Sequence, residues 1–112
     1  MATEALKDII SPKENRKITP ERILEVVSEH FNVSVSDLKS NKRSSDIVNP
    51  RQIAMYLCRI MTDTPLKTIG IMLGGRDHST VNYGIQKVTE DIKEDEILYN
   101  TVDIIKKKIT PI

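Results

Sequence analysis

Apolar positions recur every three or four residues through most of the chain, and no stretch sustains the alternation of a half-buried strand. Ile23, Val26, Val27, His30 and Phe31 form one such stripe, behind a start at which Thr19 caps and Pro20 opens a helix. Asn49 and Pro50 repeat that signature ahead of a stripe of Ile53, Ala54, Leu57, Ile60 and Met61. Thr64 and Pro65 repeat it again ahead of Leu66, Ile69 and Leu73. Gly74 and Gly75 end this third helix, since glycine accepts the positive φ that reverses a chain. A fourth helix opens at His78 with Asp77 placed to cap it. At ~100° per residue its inward residues Val81, Ile85, Val88 and Ile92 fall in a stripe about 60° wide. Asn32–Lys39 holds a short turn of helix around Asp37 and Leu38, and a late acidic helix covers Glu96–Lys108. Near the start, Thr3–Ile10 reads as a short helix and Ser11–Lys17 as a polar linker broken by Pro12. The pattern predicts an all-α fold, a compact helical bundle.

Composition narrows this picture. At 112 residues the chain builds one compact domain with a small core. There is no Trp and one Phe, so aliphatic residues fill the interior, with Met55, Met61 and Met72 as gap-fillers and His30 at the core boundary. The single Cys58 excludes an internal disulfide and fits a reducing compartment. No run of about 18 apolar residues is present. Met1-Ala2-Thr3-Glu4 lacks the basic start and apolar core of a secretory signal, so a cytoplasmic location is expected.

The net charge of +1 says little about partners, but its distribution says more. Between positions 39 and 51 the bases Lys39, Lys42, Arg43 and Arg51 face one acid, Asp46. Between 90 and 103, six acids face the single base Lys93. A phosphate backbone would dock on the basic middle, although charge runs are more often merely solvated faces.

The polar side of the fourth helix adds chemistry. Ser79, Thr80, Tyr83, Gln86 and Lys87 lie opposite its apolar stripe and include no carboxylate, whereas a solvated face usually mixes both signs. Together with the glycine turn, this is the layout of a helix-turn-helix whose second helix begins with base-reading side chains, flanked by a basic loop. Enzymatic chemistry finds no support: two histidines and one cysteine lie scattered, without metal-ligand spacing, and Asp77 and His78 are adjacent and diverge on a helix. Neither a catalytic group nor a resident metal or cofactor is expected, and no phosphate-cradling G-x-x-x-x-G-K-[ST] loop occurs.

Three motifs in order, SNKRSSD at 40–46, PRQIAMYL at 50–57 and GGRDHSTV at 74–81, resemble the C-terminal DNA-binding domain (domain IV) of bacterial chromosomal replication initiators, the DnaA family. The likeness runs from about Ile18 to Lys108. It implies a helix-turn-helix domain over 18–112, preceded over 1–17 by a connector helix and linker from an ATPase module. It further implies sequence-specific binding of double-stranded DNA at TTATNCACA-like boxes in a replication origin. Carried over by position, base contacts fall on Asp77, His78, Ser79, Thr80 and Tyr83 in the major groove, and on Arg43 in the minor groove. Phosphate contacts fall on Lys42, Arg51, Gln52, Leu66 and Lys87, with Arg51 and Gln52 expected at a helix N-terminus. Two positions depart from the family: Asp46 puts an acid in the basic loop, and Asn49 stands where some members carry a base. The parent would bind ATP and Mg, oligomerise through other domains and meet acidic phospholipid near the connector, while this domain alone would be a monomer. A helix-turn-helix transcriptional repressor is the alternative, and would be a symmetric dimer on a palindrome. A protein-interaction module would leave the basic loop and the polar helix face without a purpose.

Overall fold

Each helix in the computed structural model, which describes residues 18–110, begins where an extended residue hands the backbone to a helical run. The connector helix and linker expected over 1–17 lie outside the described residues. Among the described residues six helices form: α1 Pro20–Phe31, α2 Val35–Leu38, α3 Ser45–Met61, α4 Leu66–Met72, α5 His78–Glu94 and α6 Glu96–Ile109. The described residues contain no strand, so the fold is all-α.

The starts show why these segments are helices. Thr19 caps α1 by accepting from the Arg22 amide at 3.1 Å, with Pro20 in the first turn. Ser34 caps α2 through the Asp37 amide at 2.9 Å. Asp95 closes α5 by donating its amide to the Asp91 carbonyl, and opens α6 by accepting from the Leu98 amide at 3.1 Å. One residue thus serves two helices, which fixes the bend between them.

Two boundaries differ from the sequence reading. Helix α3 starts at Ser45, not at Asn49-Pro50, so Pro50 lies inside it. A proline there lacks the N–H that would reach back to Asp46 and crowds that carbonyl. Its ring is buried, so apolar packing offsets the missing bond. Asp46, expected in the basic loop, sits in the first turn of α3, where the helix dipole favours a negative charge. Helix α4 starts one residue later than Thr64-Pro65 suggested, with Pro65 itself as the N-cap and no side-chain cap bond.

The long helices carry the packing. Helix α5 crosses α3, α1 packs on the other flank of α3, α4 lies against α5, and α6 closes against α1 and α5. Ile23, Val27, Leu38, Leu57, Ile69, Leu73, Val81 and Ile105 are fully buried where these helices meet. Met55 is buried as expected, while Ile60, placed inward by its spacing, is 45% exposed. The late helix α6 has a core-packing role through Val102, Ile105 and Ile109. Cys58 is buried, and burial pushes its thiol up to about 12, the inert state of a core residue. Close approach of α5 to α3 requires Gly84: a Cβ there would stand 2.6 Å from Met55 Sδ and 3.2 Å from Gln52 Cγ.

Candidate nucleic-acid interface

The helix-turn-helix is formed by α4, the turn Leu73-Gly74-Gly75-Arg76 and α5. Gly74 and Gly75 both hold positive φ, at 89° and 86°. That reversal lets the Gly75 and Arg76 amides both donate to the Gly70 carbonyl at 2.9 Å, closing the end of α4. The chain then extends through Asp77, whose carboxylate accepts from the Thr80 amide at 2.9 Å and the Ser79 hydroxyl at 3.1 Å. These bonds, the Thr80 amide first, hold the Asp77 carboxyl below the usual carboxylate range. Asp77 is therefore the helix cap expected of it. His78, Ser79 and Thr80 are all exposed at the mouth of α5, and Tyr83 is 64% exposed one turn on. Beneath them, Val81, Gly84, Ile85 and Val88 are buried. The structure thus brings five of the expected base-reading residues together on one solvent-facing helix start.

Lys87 is exposed on the same helix, and its ammonium donates to Asp91 at 2.9 Å, which raises its pKa. The polar face is free of carboxylates only as far as Lys87. Asn49, Gln52 and Lys87 share the wall of a groove between α3, α5 and α6. Gln52 reaches this position from the second turn of α3, not from a helix N-terminus. Leu66 is the first residue of α4 and half-buried.

Arg51 departs most from expectation. It is 4% exposed, within α3 and not at its start. Its guanidinium donates through Nε to the Leu38 carbonyl at 2.8 Å and through Nη1 to the Lys42 carbonyl at 2.9 Å. Nη2 donates to the carbonyls of Asp37 at 3.2 Å and Ser40 at 3.1 Å. A group so occupied is a structural clamp on α2 and the basic loop, and it lies inside α3 instead of at the helix N-terminus expected for it. The loop it holds carries Lys42 and Arg43, both exposed. Lys42 pairs with Asp37 at 2.9 Å, while Arg43 makes no hydrogen bond or ion pair with the described residues.

Sequence reasoning gave no role to Arg76, although it stands inside the glycine motif. Its guanidinium bonds the Leu73 carbonyl and reaches the Ser40 carbonyl at 2.6 Å. Burial lowers the pKa of both Arg51 and Arg76, and for Arg51 the nearby Arg76 cation adds to the effect. Among the described residues no three His, Cys, Asp or Glu side chains gather into a metal site, and no helix is long and apolar enough to cross a membrane.

The family model for the bacterial dnaA protein helix-turn-helix matches residues 20–88, the span from the start of α1 through the polar face of α5. The chain belongs to the bacterial DnaA helix-turn-helix family. It is similar to the chromosomal replication initiator protein DnaA of Lachnoclostridium phytofermentans, with 54% identity over 111 residues. That match covers 99% of this chain and 24% of the relative, so the chain spans about a quarter of the length of the curated relative it matches. A solved structure described as that of a DNA replication initiation factor superposes with a TM-score of 0.71 at 28% identity. It covers 90% of this chain and 31% of that one. As a member of the DnaA helix-turn-helix family the chain is a DNA-binding module, distinct from an ATPase module and not itself catalytic.

Proposed function

We propose that this domain reads a TTATNCACA-like box in double-stranded DNA, as the origin-recognising part of a replication initiator. The observation that carries the reading is the start of α5, where exposed His78, Ser79 and Thr80 stand above a buried stripe behind a double-glycine turn. The helix start enters the major groove, where hydroxyl and imidazole groups meet base edges that distinguish all four base pairs. Asp77 orients Ser79 and Thr80 and contributes a carboxylate acceptor at the groove floor. Tyr83, further along the exposed face, lies against a base or phosphate. Arg43 enters the minor groove at the A·T-rich end, where a narrow groove concentrates negative potential and favours a guanidinium. Lys42, Gln52, Lys87 and the Leu66 amide meet the phosphate backbone and set the register without reading sequence. The Lys87–Asp91 pair is exposed on both sides and worth ~0–1 kcal/mol, so a phosphate can replace the carboxylate at little cost.

The domain acts as a monomer on one box, and the longer parent protein supplies nucleotide binding and assembly on the origin. Fluorescence anisotropy with the 112-residue chain at ~0.15 M salt tests the reading. A duplex with one TTATNCACA box should bind on the order of a hundredfold or more tighter than a scrambled duplex. Equal affinity for the two would refute sequence recognition. A 2:1 stoichiometry with preference for a palindrome would favour a dimeric repressor instead.

A further inference from the structure

We infer that Arg76 is a positioning residue that fixes the basic loop against the helix-turn-helix, and so sets the offset between Arg43 and the reading end of α5. The inference rests on the proposed DNA reading for its consequence, but the clamp itself is visible without DNA. Three independent contacts converge on residues 39 and 40. Arg76 Nη2 donates to the Ser40 carbonyl at 2.6 Å, from a position 36 residues away in the chain. Arg51 Nη2 donates to the same oxygen at 3.1 Å. Gly74 lies so close to the Lys39 carbonyl oxygen that a Cβ there would overlap it. The other arm of the Arg76 fork holds the carbonyl of Leu73, the residue that caps the end of α4. One guanidinium therefore ties the loop that leads to Arg43 to the turn from which α5 departs.

The geometry needs an arginine. A planar fork holds two carbonyls in a fixed relation, whereas a lysine ammonium is a single hydrated point on a flexible stem. Two cations sharing one carbonyl repel each other, and the arrangement persists because six hydrogen bonds from the two guanidiniums to backbone carbonyls fix them there. Without the Arg76 fork, the segment between Ser40 and Ser44 stays tied to α3 by the Arg51 bonds to the Ser40 and Lys42 carbonyls but loses its tie to the glycine turn, so the position of Arg43 relative to α5 is no longer fixed. The two grooves of a box are read at a fixed separation along the duplex, so loss of the offset should abolish the contribution of Arg43 and leave that of α5 intact.

The test compares wild type with Arg76→Lys, which keeps the charge but not the fork, and Arg76→Gln, which keeps a planar donor without the charge or the reach. Far-UV circular dichroism confirms that each variant is helical. Without DNA, the heteronuclear NOE of the Asn41–Ser44 amides should fall in both variants while those of α3 and α5 stay constant. An unchanged loop NOE overturns the clamp whatever the protein does with DNA. With DNA, A·T→G·C changes at the TTAT end of the box should weaken wild type about tenfold. In both variants that factor should fall below about twofold, and Arg43→Ala should then add nothing further. Discrimination against changes at the CACA end should persist. Loss at both ends together, or an undiminished factor at the A·T-rich end, overturns the positioning role. A wild type that does not distinguish box from scramble refutes the DNA reading instead, and the NOE alone then decides the clamp.

Discussion

Replacing Arg51 with alanine removes a buried guanidinium whose bonds reach four carbonyls, those of Asp37, Leu38, Ser40 and Lys42. Each hydrogen bond to a charged donor is worth ~1.5–3 kcal/mol, but simple addition overstates the loss. The Ser40 and Lys42 carbonyls belong to an exposed loop and can turn to water. The Asp37 and Leu38 carbonyls end α2 against the body of α3, and each left without its partner costs ~1–3 kcal/mol. Loss of the aliphatic stem from a site only 4% exposed adds to this. Some of the total is returned, because the wild type also bears the cost of burying a cation. The expected loss is ~3–5 kcal/mol, a large share of the ~5–15 kcal/mol that holds a typical domain together. Urea denaturation followed by far-UV circular dichroism should show a lower midpoint with an unchanged slope. Arg51→Lys should recover only part of the loss, since an ammonium cannot reach four acceptors. If Arg51→Ala loses less than ~1 kcal/mol of stability while the salt slope of DNA binding falls by about one, Arg51 is a phosphate contact after all, and the clamp would be wrong.

His78→Ala or Thr80→Ala should cost ~1–3 kcal/mol on the cognate box and little on scrambled DNA, measured by anisotropy; equal losses on both would make them fold or phosphate residues. Lys87→Ala should weaken binding to all sequences alike and lower the slope of log K against log salt by about one, and an unchanged slope would take Lys87 out of the interface. Gly84→Ala should destabilise by ~1–3 kcal/mol, because its Cβ forces Met55 off its rotamer or shifts α5 on α3. A neutral urea midpoint would show that the Met55 end yields freely. His30 has its pKa held below 6.5 by burial and by the Lys108 ammonium, which donates to its Nδ1 at 2.9 Å. A lowered folded pKa means that stability is complete above about 6.5 and is lost as pH falls toward the folded value. The urea midpoint should therefore drop between pH 7.5 and 5.5 and do so less in His30→Gln, whereas a wild-type midpoint that rises on acidification would reverse the sign.

The apolar spacing alone determined that the domain is helical and which faces turn inward. Ile23, Val27, Leu57, Val81, Ile85, Val88 and Ile69 all lie on the buried sides that a 3.6-residue period assigns them. The turn too was legible, because the pair Gly74-Gly75 with Asp77 two residues on leaves few alternatives to a reversal and a new cap. The reading end of α5 was legible for the same reason: cap and first turn are local in sequence, within reach of their own backbone. The start of α3 was not. Ser44 and Asn49-Pro50 are both plausible openings locally, and burial of the Pro50 ring in the folded domain decided for the earlier one. The carbonyl bonds of Arg51 and Arg76 were not legible, because an arginine in sequence carries only its charge. Whether it faces solvent or carbonyls 9 to 36 residues away depends on which loops the fold brings beside it. Backbone carbonyls carry no sequence signature, so a clamp built on them exists only once α2, the basic loop and the glycine turn are packed together.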